Sequence, residues 1–492
     1  MLTQSNDISH EYCCTVVKIG EIIPIEGANT VAKTLVNGRE IVISKDIKEG
    51  DLMIYASNEC QLNSDFMSIN NLYEDYTLNS NCEEVSLWIE AKSGSGSMVI
   101  DPEEWKEYKR THCGYFDKHA RVRMKKLCKT LSMGFLFEPK LLINWCPLLK
   151  DFDFSSMIDQ DFDTVNKELF VQAYIPPIPE SPHRASGEGK RNKHLAKFDR
   201  MIPGQFSFHY DTAQLERNIH RLNPDDWVTI SVKLHGTSLI VGNILTKAPK
   251  WKGIYSKIFS YLPKFLQFTK KEYNIIYSSR TVIKNQFINP KVSSGFYNSD
   301  VWADYCNILS NYIPQGFTIY GEIVGYVSGS NSMIQKGYDY KCKPGENKLM
   351  IYRVTRQIDE GKVEYNVSDV KEWTLKLIDS MKEDGYPDFA ARIHPIDILF
   401  NGQIKTLYNN DVMNHWHETL LELMKNDKEH FGMEENEPLC RNKTPREGIV
   451  LRIDNDPVNE AFKLKCLKFL GKEAESIDAG ETSDIEMTER YG

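Results

Sequence analysis

The chain has 492 residues, 41% of them apolar and 26% charged, with a formal net charge of −9. That length predicts about two to three domains, and the ordinary apolar content excludes a chain too polar to bury a core. The acidic balance argues against a protein that coats nucleic acid without discrimination. No apolar run reaches the ~18 residues of a membrane span, Met1 to His10 is polar, and the eleven cysteines contain no C-x-x-C pair. Together these point away from a membrane protein, a zinc ribbon or a disulfide framework, and toward a cytoplasmic monomer with reduced thiols.

Residues 1–145 read as a β-rich N-terminal domain. Short alternating runs at Cys14–Ile19, Ile22–Ile25, Thr30–Val36, Arg39–Ile43 and Asp51–Tyr55 predict five strands, and Asn37-Gly38 is a strong hairpin signal between two of them. Five close-spaced strands predict a small barrel of the oligonucleotide-binding (OB) type. An insertion from Asn81 to Tyr115 interrupts this domain, with Ser93-Gly94-Ser95-Gly96-Ser97 inside it. The basic stretch Lys118 to Leu127 is a candidate surface for a nucleic-acid backbone, or a solvated face. Residues 146–200 read as a connector, stiffened by the prolines of Ile175 to Pro182 and followed by the polar run Ser186 to Lys193.

Residues 201–470 carry the chemistry-bearing stretches, taken in order. Ser231-Val232-Lys233-Leu234-His235-Gly236-Thr237-Ser238 puts a lysine at a turn directly after the apolar run Trp227 to Val232. Tyr277-Ser278-Ser279-Arg280 ends a second apolar run on an arginine. Phe317 to Gly325 sets Glu322 between two glycines on a strand-like segment. Lys348 to Val354 is another β-like run, containing Tyr352. Arg446-Glu447-Gly448 opens a further strand, and Lys463 and Lys465 alternate by two, so on a strand both project from the same face. Singly, each of these has a bland reading as edge charge or core packing. Six in this order do not.

Between Lys233 and Arg280 stand Lys247, Lys250, Lys252, Lys257, Lys264, Lys270 and Lys271, interleaved with Trp251, Tyr255, Phe259, Tyr261, Phe265 and Phe268. Aromatics that stack on bases and lysines that meet phosphates are one reading. An amphipathic segment whose aromatics dock on the core is the other. The stretch from 356 to 440 reads as mainly helical, with Asp369–Met381 and Asp411–Lys425 the clearest helices. Residues 471–492 form an acidic tail.

The ordered set from Lys233 to Lys465 resembles motifs I, Ia, III, IIIa, IV and V of the covalent nucleotidyltransferases, the superfamily of ATP-dependent DNA and RNA ligases and capping enzymes. His235, where DNA ligases and capping enzymes usually carry aspartate, is similar to RNA ligases of the phage T4 second-ligase type. The N-terminal domain resembles the OB module of the Deinococcus and Naegleria type of RNA ligase. Ser238 and Val232 depart from the residues usual in related ligases, which carry asparagine and glutamate there.

The resemblance implies an α+β fold, with an OB-like barrel followed by an adenylyltransferase domain of antiparallel sheets and flanking helices. It implies an ATP-dependent RNA ligase that seals 3′-OH and 5′-phosphate RNA ends in RNA repair, through lysyl-AMP and adenylylated RNA. Lys233 is then the nucleophile, with Lys463 and Lys465 on the phosphates. His235, Gly236, Arg280, Glu322, Tyr352 and Glu447 hold the nucleotide, and Glu322 and Glu447 hold Mg2+ or Mn2+. An unperturbed lysine is almost wholly protonated at neutral pH, so the nucleophile needs neighbours that free its amine. The competing expectations are a DNA ligase or capping-type enzyme, for which the 27 residues after Lys465 are too few to form the usual C-terminal OB domain, and a non-catalytic RNA end-binding protein.

Overall fold

The computed structural model describes residues 1–4, 12–92, 107, 114–175, 200–208, 212–259, 262–284, 300–358, 361–408, 415–427, 430–433, 435–454 and 460–479. It divides into two units, Met1–Ile175 and Pro176–Gly492.

In the first unit β1 (Cys14–Lys18), β2 (Val31–Val36), β3 (Arg39–Ser44) and β4 (Leu52–Ala56) form where the alternation and turns call for them. Asn37 and Gly38 take φ of 50° and 75°, the left-handed pair that a two-residue hairpin between β2 and β3 needs. On β1, Cys14 and Val16 enter one core with Phe66, Phe137 and Phe170, while Val17 enters a second with Ala32, Ile41 and Ile43. β4 does the same, with Ile54 and Ala56 on one side and Met53 and Tyr55 on the other. A sheet covered on both faces reads as continuous apolar runs rather than alternation.

β1 pairs with β4 and β2 with β3, so these strands fall into two sheets, and the described residues form no closed barrel. The domain boundary also moves. Asp161–Phe162 pairs with β1, Thr164–Val165 with Leu2–Thr3, and Val171–Ala173 with Cys60–Leu62. The stretch from 146 to 175, expected as connector, is therefore part of the first unit. The reason is apolar: Phe154, Phe162, Phe170 and Val171 fill its core, and the proline run starts only afterwards, outside the described residues. Two cations of the basic stretch are also committed. Arg121 is buried in a two-pronged pair with Glu59 at 2.8 and 2.9 Å, and Arg123 pairs with Asp117 at 3.1 Å. Of the insertion, Glu83–Lys92 is helical, and its Ser-Gly run lies outside the described residues.

In the second unit the chain runs through β5 (Trp227–Lys233), β6 (Thr237–Pro249), β7 (Thr269–Ser278), α1 (Val301–Leu309), β8 (Phe317–Gly325) and β9 (Asn347–Ile358). It continues through α2 (Val367–Glu383), β10 (Ile398–Gln403), α3 (Trp416–Asn426), β11 (Gly448–Ile453), β12 (Ala461–Lys465) and α4 (Leu467–Asp478). One sheet has the order Ala213–Gln214, β12, β11, β5, β10; the other has β7, β6, β8, β9, Gly361–Glu364. The long strands pair antiparallel with one another, and only the short Ala213–Gln214 and Ile393–Pro395 add parallel pairs among the described residues of this unit, so the unit is a mixed α+β fold built on antiparallel sheets.

Period-two alternation sorts the residues of both sheets. Leu239, Val241, Ile319, Ile323, Leu349 and Ile351 pack under α1 and α2 with Trp302, Tyr305, Leu377 and Met381. In the other sheet, Val228, Ile230, Val232, Ile449, Leu451, Phe462 and Leu464 share a core with Leu420 and Met424 of α3. Asn366 caps α2 by accepting from Asp369 N at 2.8 Å, which satisfies one of the orphan donors of its first turn. The helix expected from Asp411 begins among the described residues at Trp416. Of the expected acidic tail, residues 471–478 are the last turns of α4, because Phe469, Ala474 and Ile477 are buried. Residues 480–492 lie outside the described residues, among which no helix is long and apolar enough to cross a membrane.

Candidate active site

Lys233 is the last residue of β5, and its place in the sheet follows from register. Lys233 stands opposite Gly448 on β11, and Gly448 stands opposite Lys465 on β12. Residues opposite one another project from the same face, so two lysines flank a glycine in one row across three strands. The next row on that face is Ser231, Val450 and Lys463. Val232, Ile449 and Leu464 turn the other way into the core. The glycine is required, since a Cβ at Gly448 would lie 2.1 Å from the Leu464 carbonyl oxygen.

The Lys233 amine donates to Glu447 Oε1 at 2.6 Å. Glu447 is 5% exposed and also has its Oε2 at 3.7 Å from His235 Nδ1. Burial works against ionisation of this carboxyl, but the charges of Lys233, His235 and Lys465 outweigh it and hold it below the usual carboxylate range. Lys465 is in turn held by Glu473 of α4 at 3.2 Å, and its ammonium lies 5.1 Å from the Phe469 ring centre.

The turn after Lys233 is fixed by three hydrogen bonds. The His235 amide donates to the Tyr340 hydroxyl at 2.8 Å, the Gly236 amide to Glu322 Oε1 at 3.1 Å, and Gln335 Nε2 to the Gly236 carbonyl at 2.8 Å. A Cβ at Gly236 would meet the Ile323 carbonyl oxygen at 2.3 Å, so β8 comes this close only because residue 236 has no side chain. The His235 ring stands edge-on between Tyr338 and Phe469, with centroids 4.9 and 5.0 Å away. Burial lowers its pKa below the ordinary 6.5, against the opposing pull of Glu447 and Glu473.

Tyr352 sits at a break in register. Gly321 faces Ile351 and Tyr320 faces Arg353, so Tyr352 is the extra residue of a β-bulge. The consequence is that consecutive side chains share a face. Tyr352 packs on the core of the β5 sheet, and Arg353 lies over the Tyr320 ring at 4.3 Å, while Val354 returns to the helix side. Bulges of this kind re-aim side chains next to functional sites.

Register and contact thus bring together Lys233, His235, Gly236, Glu322, Glu447 and Lys465, with Lys463 in the adjoining row. Arg280 lies at the end of β7, in the turn closed by the Ser278–Ile283 bridge. Pattern reading missed Gln335, Tyr338 and Tyr340, which lie on a loop without periodicity. It also missed Glu473, hidden in an acidic segment. Arg446 of the Glu447 motif is a structural cation, buried against Glu437 at 3.4 Å.

A divalent cation is compatible with the Glu447 carboxylate. Glu447 Oε2 is buried and has no hydrogen-bond partner among the described residues, and a hard carboxylate oxygen suits Mg2+ or Mn2+. No three metal-ligating side chains converge among the described residues. A cation held here would complete its shell with water and phosphate oxygens, as Mg2+ commonly does.

No family model matches the chain, and no curated protein does. Solved structures do. Naegleria gruberi RNA ligase, as a mutant with ATP and manganese, superposes with a TM-score of 0.51 at 17% identity, over 93% of this chain and 98% of that one. The same ligase with pyrophosphate gives a TM-score of 0.50 at 17% identity, over 94% and 98%. The chain therefore has the fold of that RNA ligase.

Proposed function

We propose that this protein is an ATP-dependent RNA ligase that joins a 5′-phosphate to a 3′-OH through a lysyl-AMP intermediate. The observation that carries this reading is the row Lys233, Gly448, Lys465, with the Glu447 carboxylate on the Lys233 amine. It occurs within a fold shared with an RNA ligase solved with ATP and manganese.

Lys233 Nζ attacks the α-phosphorus of ATP; a P–N bond forms as the P–O bond to pyrophosphate breaks. The attacking amine must give up a proton, and Glu447 Oε1, at 2.6 Å, is the acceptor within reach. Lys463 and Lys465 meet the charge on the phosphates, which is where positive groups accelerate phosphoryl transfer. Lys465 exchanges Glu473 for phosphate as it does so. A divalent cation, when bound on Glu447 and Glu322, adds positive charge at the same phosphates. AMP next passes to the RNA 5′-phosphate, and a 3′-OH displaces it. Splitting the condensation this way replaces one hard step by displacements with good leaving groups.

Glu322 and Gln335 hold the turn that presents Lys233, and His235 orients Glu447. Tyr352 stacks on adenine, and Arg280 reaches the ribose-phosphate. In this reading residues 1–175 form the OB-type RNA-holding module and residues 201–470 the adenylation domain.

Incubation with α-labelled ATP or α-labelled GTP and a divalent metal, followed by denaturing electrophoresis, tests the covalent step. Label from ATP that is lost in Lys233→Ala supports the ligase. Label from GTP points to capping chemistry, and no label from either on a folded, AMP-free protein overturns the reading.

A further inference from the structure

We propose that the outer half of the β6–β7 ribbon is a second RNA contact, gripping the phosphate backbone away from the reacting ends. The proposal rests on the ligase reading for the identity of the ligand and on the following geometry for its location.

β6 is thirteen residues long, roughly 40 Å at ~3.3 Å per residue, and it begins at the turn that carries His235 and Gly236. Its inner part pairs with β8 only from Thr237 to Gly242, whereas β7 follows it from Ile240 out to Pro249. Beyond β8 the ribbon therefore continues as two strands. There Lys247 of β6 stands directly opposite Lys271 of β7. Like charges facing across a strand pair destabilise it, and among the described residues neither lysine has an acidic partner. The alternate face offers a contrast. On it Lys270 is neutralised by Glu272 at 2.6 Å, and Thr246 is buried.

The face with Lys247 and Lys271 also presents Tyr273, opposite Leu245 and 43% exposed. Lys250 and Lys252 follow at the end of the ribbon, with Trp251 between them 49% exposed. An unneutralised lysine pair beside half-exposed aromatic rings fits a polyanion that also carries flat bases, which is single-stranded RNA. Exposed Ile254 and Phe265 lie near in sequence and would suit an anionic lipid surface instead. Lys247 lies on β6, the strand that starts just past the turn after Lys233, and this favours RNA over a membrane.

The test compares wild type with the double variant Lys247→Gln, Lys271→Gln in the full chain. The ligand is a labelled RNA of about 24 nucleotides, long enough to run the ribbon at ~3.4 Å per nucleotide. Each lysine that neutralises a phosphate adds ~0.7 to the slope of log K against log salt, so the double variant should lower that slope by about 1.4. Affinity at ~0.15 M salt should drop about tenfold. The thermal midpoint without RNA should hold or rise, because a repulsion has been removed. Unchanged affinity and slope in a variant that still forms lysyl-AMP would overturn the proposal and leave the ligase reading intact. A loss seen only with phosphatidylserine vesicles would overturn it in favour of a membrane contact. Weaker RNA binding alongside a wild type that forms no lysyl-AMP would support the RNA surface while sinking the ligase reading.

Discussion

Lys233 and Glu447 stand 214 residues apart in sequence, and the amine of one donates to the carboxylate of the other at 2.6 Å. The pair joins the end of β5 to the start of β11. It commits one oxygen of the Glu447 carboxylate to the Lys233 amine.

Replacing Glu447 by glutamine keeps the shape and removes the charge. Glu447→Gln should slow lysyl-AMP formation by about 10²-fold or more, the usual worth of a positioned proton acceptor. Single-turnover labelling with ATP measures it, and a rate near wild type would exclude proton acceptance by this carboxylate.

His235 and Glu447 also set a pH dependence of stability. His235 has its folded pKa below 6.5 because burial opposes its charge, so the unfolded chain binds this proton first as pH falls. Its contribution is fully present above pH ~6.5 and is lost as pH drops through the folded value. Glu447, lowered from 4.5, acts in the same direction in a more acidic window. The thermal midpoint should fall on acidification below pH ~6.5, and His235→Asn should flatten the upper part of that fall.

Gly448 separates the two lysines of the row and lets β12 approach. Gly448→Ala puts a Cβ 2.1 Å from the Leu464 carbonyl oxygen. Such overpacking costs about 1–3 kcal/mol, and it displaces Lys465. Urea unfolding should show the loss, and labelling should show a drop in adenylation larger than the unfolded fraction explains.

Tyr352 owes its orientation to the bulge. Tyr352→Ala should raise the KM for ATP about fivefold or more, since losing a base–aromatic stack costs about 1–3 kcal/mol, while Tyr352→Phe should stay close to wild type. Equal effects from both variants would tie the role to the hydroxyl rather than the ring.

Much of the site was legible in the chain because its parts are local. A lysine after an apolar run, a glycine that lets backbones touch, and two lysines spaced by two are set by strand periodicity. The β2–β3 hairpin was legible for the same reason, since Asn37 and Gly38 suit left-handed backbone on their own. The sequence by itself thus determined the β2–β3 hairpin, the strands that carry Lys233, Glu322, Tyr352 and the Lys463/Lys465 pair, and which residues could do chemistry. Tertiary structure alone decided the rest. Register between distant strands put Glu447 on Lys233, and one surplus residue in β9 turned Tyr352 and Arg353 to the same side. An unpatterned loop supplied Tyr340 and Gln335, and apolar residues after 146 joined the first core instead of linking two domains. Periodicity is written within a few residues, whereas register depends on how many residues each partner strand spends between its contacts, and no single segment carries that count.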